Sequence, residues 1–269
     1  MPDFKNHHHI LIQLFIIAAF AFILACKPDN QKQNNTEQDN TEQDNTPKVP
    51  DGAVDLGIVM TRQDGTTYNL YWAKSNLSKS GLCPNPAYEG DYYAWGETSP
   101  KQVYSWATYV HAAGAYNKLT RYCPENLSNH WAGTGNPDNK TEFSDNNYAD
   151  DAARTRLEGK WRIPTDAEWT ALRTKCTWNW TSNYNGTGVK GIIVTSNVTG
   201  YQDRSIFLPA AGYRDDADLL NVGSRGDYWS SSISTGSPYN AWYVYFNFDG
   251  DNRGGNARYY GRSIRPVSE

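Results

Sequence analysis

The chain is short of the residues on which most catalytic and metal chemistry depends. Its 269 residues include 4 cysteines and 5 histidines, and His7, His8 and His9 stand together near the N-terminus, so that only His111 and His130 lie further on. No Cys-x-x-Cys pair is present, which argues against zinc. A serine nucleophile needs a base within hydrogen-bond reach. The run Ser230-Ser231-Ser232 has only those two histidines to call on, both in unrelated loops, so no enzymatic activity is expected. Positive charge is not in excess either: 25 Lys and Arg against 29 Asp and Glu give a net charge of −4, which leaves no basic footprint for nucleic acid. Methionine is scarce, at 2 residues, whereas 10 Trp, 19 Tyr and 22 Gly point to strands and loops rather than long helices.

No apolar run is long enough for a comfortable membrane span. From Ile10 to Ala25 the chain is uncharged and mostly apolar over about 16 residues, short of the roughly 20 that a helix needs to cross. The run ends in Ile23-Leu24-Ala25-Cys26, similar to a bacterial lipobox. Residues 1–25 are therefore expected to be a lipoprotein signal peptide, with Cys26 carrying the lipid and anchoring the protein to a membrane. Residues 26–50 lack aromatic and large apolar side chains until Val49 and contain a direct repeat, Asn35-Thr36-Glu37-Gln38-Asp39 followed by Asn40-Thr41-Glu42-Gln43-Asp44. Such a segment buries too little to offset its ordering entropy and is expected to be a disordered polar tether. Lys27 is not the aspartate that favours inner-membrane retention, which points to the outer membrane without deciding which side the domain faces.

Residues 51–269 have the length of one sizeable domain. Val54 to Leu77 reads as a hairpin turning at Asp64-Gly65. Trp161 to Trp169 joins an extended segment, stopped by Pro164, to a helix. Thr165 is its N-cap, Glu168 completes a capping box, and Trp169, Leu172 and Cys176 form the apolar stripe. A short helix is expected near Asp150 to Leu157, and strands at Gly191–Thr195, Ser205–Arg214, Gly223–Ser232 and Ala257–Val267. Between Ala241 and Phe248 the alternation places Trp242, Val244, Phe246 and Phe248 on a core face, with Tyr243, Tyr245 and Asn247 on a wet face, before a turn over Asp249 to Gly255. Cys83, Cys123 and Cys176 are an odd number for an exported protein, which allows one pair and one buried thiol without choosing among them. Asp138, Asp145 and Asp150 offer oxygen ligands without the spacing of a calcium loop; no cofactor is required, and a structural calcium ion is left open.

Five segments in order, Asp91 to Glu97, Trp161 to Trp169, Phe207 to Arg214, Tyr228 to Ser232 and Arg262 to Val267, resemble the Fibrobacter succinogenes major paralogous domain family, common among exported lipoproteins. More distantly they are similar to the formylglycine-generating enzyme and C-type-lectin-like fold. The resemblance implies an α+β domain, two helices packed on a small twisted antiparallel sheet with long loops. It does not carry over the copper or iron chemistry of those enzymes, because no cysteine follows Cys176 and no histidine cluster exists. Nor does it carry over the lectin calcium site, since Asn136-Pro137-Asp138 precedes the helix and Trp-Asn-Asp is absent. The abundance of Tyr, Trp, Asn, Asp, Gly and Arg suits recognition, so the expectation is an adhesion module, at the cell surface or on the periplasmic face, binding an extracellular or envelope carbohydrate or protein ligand, with a structural or tip subunit of a surface assembly as the alternative and an enzyme of unknown type third. The contacts are expected on the C-terminal hairpin: Tyr243, Tyr245, Asn247, Asp249, Asp251, Asn252, Arg253, Asn256, Arg258 and Tyr259.

Overall fold

The computed structural model describes residues 48–269; the expected signal peptide, Cys26 and most of the expected tether lie outside the described residues. Strands β1 (Ala53–Thr61) and β2 (Thr67–Ala73) form the first hairpin. Its turn is held by Asp64, whose Oδ1 accepts from the Thr66 N–H and hydroxyl at 2.9 and 2.7 Å. The pairing slips between Asp55 and Ile58, where Gly57 takes φ +70°; a side chain there would run into the Tyr201 ring, so this bulge requires glycine. The two-residue strands β3 (Leu77–Ser78) and β4 (Gly81–Leu82) follow, and then a long irregular stretch leads to helix α1 (Ala152–Arg156).

Helix α2 (Asp166–Lys175) starts where the capping box places it. The Thr165 hydroxyl accepts from the Glu168 N–H at 3.2 Å, and Glu168 Oε2 accepts from the Thr165 N–H at 2.8 Å. Behind it β5 (Cys176–Thr181), β6 (Gly191–Ser196) and β7 (Ser205–Pro209) make an antiparallel sheet. A small hairpin, β8 (Tyr213–Asp215) and β9 (Asp218–Leu220), leads into the sheet β10 (Arg225–Ile233), β11 (Asn240–Asn247) and β12 (Gly250–Ala257). Last comes β13 (Val267–Ser268), which pairs with β2. The class is α+β and sheet-rich. In place of one sheet there are several small antiparallel ones, because bulges and left-handed residues break the ladders after two or three strands.

The sheet β10–β11–β12 is a partition between two cores. On one face Tyr228, Val244 and Phe246 join Trp72, Trp169, Leu172, Val194 and Leu208. On the other, Trp229, Ile233 and Tyr243 join Trp95, Tyr122, Phe143 and Ile264. This overturns the assignment of a wet face: Tyr243 is only 7% exposed. A strand covered on both sides is apolar at successive positions, so its aromatics cannot say which side faces water. Two expected core residues also shift. Trp242 is half-buried beneath the Arg253 guanidinium, and Phe248, beyond the last ladder pair, is 77% exposed.

The chain beyond β12 is not a strand over Ala257–Val267. It threads the molecule through single bridges, Arg214 with Gly261, Tyr93 with Arg262 and Tyr228 with Ser263, before β13. Three fully buried guanidiniums lie along it, and those of Arg258 and Arg265 fasten it by hydrogen bonds. Arg265 donates to Asn76 Oδ1, Ala73 O and Phe207 O at 2.9, 3.0 and 2.6 Å, neutral acceptors that replace its water. Burial lowers its pKa to about 10. Cys83, Cys123 and Cys176 are free and buried, with no disulfide among them; burial pushes the Cys176 thiol up to about 12.

Candidate functional site

The register of the β11–β12 hairpin sorts the expected contact residues onto opposite faces. Tyr243 pairs with Gly254, Tyr245 with Asn252 and Asn247 with Gly250, so these share one face; Trp242 with Gly255, Val244 with Arg253 and Phe246 with Asp251 share the other. Residues expected in a turn, Gly250 to Gly255, are strand, and the chain reverses at Phe248 and Asp249 instead.

Asp251 and Arg253 therefore face the helix. Arg253 donates from Nη2 to Asp166 Oδ2 at 2.7 Å, with Nε on the other oxygen, and Asp251 pairs with Arg173. These two pairs clamp β12 to both ends of α2, at the acidic first turn and the basic last turn, where the helix dipole favours them. Arg258 is also removed from the ligand set: it is 0% exposed, donates to Arg121 O and Tyr122 O at 3.1 Å each, and lies over the Trp95 ring at 5.2 Å.

What remains at the surface is a strip of tyrosine, asparagine and arginine. Tyr243 closes its floor: the ring lies against Gly254, where an added Cβ would sit 2.8 Å from it. Tyr245 is half-buried, with its ring centroid 5.5 Å from that of Tyr243. Arg225, which the sequence reasoning missed, covers the Tyr245 ring at 4.2 Å and donates to both Asp227 oxygens at 2.8 and 3.0 Å and to the Tyr243 hydroxyl at 3.2 Å. Its register partner on β11 is Asn247, a signal the pairing alone could have given. Beneath lies Arg262, 1% exposed, 3.9 Å from the Tyr243 centroid and 4.3 Å from that of Trp229. Among the described residues its Nε and Nη1 have no hydrogen-bond partner, and Asp227, already held by Arg225, is 3.6 Å away. The strip continues through Tyr260, 5.2 Å from Arg262, to Tyr259 stacked on it at 4.4 Å and to Trp106 at 5.3 Å from Tyr259. Burial and the neighbouring Tyr260 hydroxyl both push the Tyr259 phenol up.

Elsewhere, the carboxylates considered for calcium bind protein groups. Asp138 accepts the Tyr122 and Cys123 N–H groups at 2.9 and 2.8 Å; Asp145 accepts the Thr141 N–H at 2.8 Å; Asp150 is bound by Arg121, Tyr122 and Asn146. No group of three or more metal-ligating side chains occurs among the described residues. In the serine run, Ser230 donates to Trp242 O at 2.8 Å and Ser232 to Glu142 at 2.6 Å, while His111 Nε2 lies 2.8 Å from Gly96 O. A cleft of about 590 Å³ lies where both ends of the described chain meet, lined by Pro50, Leu82, Trp161 and Glu269 among others.

No protein family, no curated protein and no solved structure matches the chain, so the family resemblance rests on the five motifs alone.

Proposed function

We propose that the chain is an outer-membrane-anchored lipoprotein whose folded domain, of lectin-like kind, is a non-catalytic recognition module for an extracellular or envelope ligand, carbohydrate or protein. The observation that carries this reading is the strip of half-buried Tyr245, Asn247, Asn256, Tyr259 and Tyr260 with exposed Asn252, set around Arg225 and held on a sheet whose back is packed against the core. Aromatic rings give contact area at low entropic cost, short amides adapt their hydrogen bonds, and a rigid sheet pre-organises both. The serine hydroxyls and the His111 ring nitrogen with partners elsewhere favour binding over acyl chemistry.

A second reading, a subunit or tip of a surface assembly, is favoured by Phe248, the most exposed large apolar side chain of the domain, at the end of the same hairpin. A screen of the full chain against polysaccharides and envelope glycoproteins, with calcium and with chelator, separates the two. Saturable binding by a monomer, weakened roughly tenfold or more by Tyr245→Ala without change in near-ultraviolet circular dichroism, is the expected result. Silence from a folded chain, together with self-association abolished by Phe248→Ser, would establish the assembly subunit instead.

A further inference from the structure

The hydrogen-bonding polarity of the strip narrows its ligand. Each of three asparagines on β11 and β12 has its side-chain oxygen engaged by a neighbouring backbone N–H: Asn247 by Asp249 at 2.9 Å, Asn252 by Arg253 at 2.8 Å and Asn256 by Ala257 at 2.8 Å. A backbone N–H can only donate, so these bonds fix each amide's orientation and turn its NH₂ group outward. Among the described residues the Asn252 and Asn256 NH₂ groups have no partner, and that of Asn247 has only the Asp249 carboxylate at 3.5 Å. Arg225 uses Nε and Nη2 on Asp227 and Tyr243, which leaves the Nη1 donors free on a side chain 31% exposed.

The charge count runs the same way. Two guanidiniums, Arg225 and Arg262, share the single carboxylate of Asp227, which leaves one positive charge uncompensated beneath the strip, and two nitrogens of Arg262 without acceptors. Low dielectric around a buried cation extends its field to the nearby surface. Two carboxylates border the strip: Asp249, in the exposed turn beside Asn247, and the half-buried Asp215, beside Tyr259. Around Arg225 the face thus presents donors above a buried cation, on a chain whose net charge of −4 opposes indiscriminate polyanion binding. On this face the half-buried Tyr245 ring is flanked by Asn247, Asn252 and Gly254, so that a stacking surface sits among amide donors, the combination that suits a sugar ring with polar edges.

Resting on the recognition reading above, we infer that the ligand is an acidic glycan: a carboxylated or sulfated sugar whose anionic group accepts from Arg225 Nη1 and the Asn252 amide, beside the tyrosine rings.

The test titrates the full chain in detergent with polygalacturonate, dextran sulfate, neutral dextran and polyglutamate. Binding to one or both acidic polysaccharides, weakened by salt and absent with dextran, is expected; whichever of the two binds distinguishes a carboxylate from a sulfate. Asn252→Asp keeps the oxygen that accepts the Arg253 N–H but replaces the outward donor with an anion, and should weaken binding by about tenfold or more. Asn252→Lys should strengthen it, which a merely structural effect would not do. Dextran binding as tightly as the acidic polymers, with Asn252→Asp unchanged, would overturn the acidic class while leaving recognition intact. Preference for polyglutamate over every polysaccharide would overturn the glycan. Silence toward these and toward the wider ligand screen, from a chain with native circular dichroism, would overturn both readings.

Discussion

Single side chains in this domain carry burdens that composition hides. Glu168, 0% exposed, receives Arg162 at 2.7 and 2.6 Å, the Tyr68 hydroxyl at 2.8 Å and the Thr165 N–H at 2.8 Å. The Arg162 guanidinium and these bonds hold its carboxyl below the usual range, against a burial effect that alone would raise it. Glu168→Gln would turn an NH₂ group toward a buried cation, and urea unfolding should show a loss of about 3–5 kcal/mol, the cost of breaking a buried pair on one side. Asp151 is the reverse case. It is fully buried and caps α1 through the Arg154 N–H at 3.0 Å, and burial raises its pKa from 3.8 to about 6. As pH rises through that window the unfolded carboxyl loses its proton first, so this group's stabilising contribution is full below pH 3.8 and lost as pH passes 6. Asp151→Asn keeps a competent cap without the ionisation. Relative to the variant, the native chain should lose up to roughly 3 kcal/mol between those pH values, read from urea midpoints.

Among the elements, the clamp between β12 and α2 is the feature most open to measurement. Its two pairs, Arg253 with Asp166 and Asp251 with Arg173, are 22–35% exposed, so each should contribute only about 0.2–1 kcal/mol in a double-mutant cycle. Removing both pairs should leave the fold intact while loosening the hairpin, seen as faster amide exchange in β12 than in β10. The capped helix and the first hairpin were legible because their signals are local: a capping box needs four residues, and an Asp-Gly turn needs two. The partition sheet was not. Alternation gives parity, but Tyr243 and Val244 are both buried, and only contacts from residues as distant as Trp95 and Trp169 reveal two cores. Likewise Asp251-Asn252-Arg253-Gly254-Gly255 has the composition of a loop. It is strand because β11 offers it a ladder and because Gly254 makes room for the Tyr243 ring. Arg225 escaped notice since its role depends on a cross-strand neighbour, and Arg258 was misplaced since arginine is ordinarily exposed.

Taken whole, the domain is tied together by its last residues. The segment from Arg258 to Ser268 touches both cores, and its guanidiniums reach carbonyls more than a hundred residues away in sequence, Arg258 to Tyr122 and Arg265 to Ala73. Such non-local closure predicts slow folding, with millisecond-to-second kinetics of the all-β kind. It also brings the edges of the domain together, because β2 is flanked on one side by β1 and on the other by β13: Val54 and Val267 both pair with Trp72. Two strand spacings, about 10 Å, then separate the entering chain from the leaving one. A circular permutant joining residue 269 to residue 51 through a few glycines, and opened at the exposed Asn185-Gly186 turn, should fold with native circular dichroism and keep whatever ligand affinity the parent has. By the same geometry the domain is a pendant: spliced into a surface loop of another protein, it would hold that loop's two stems about 10 Å apart, twice the spacing of a hairpin's own strands.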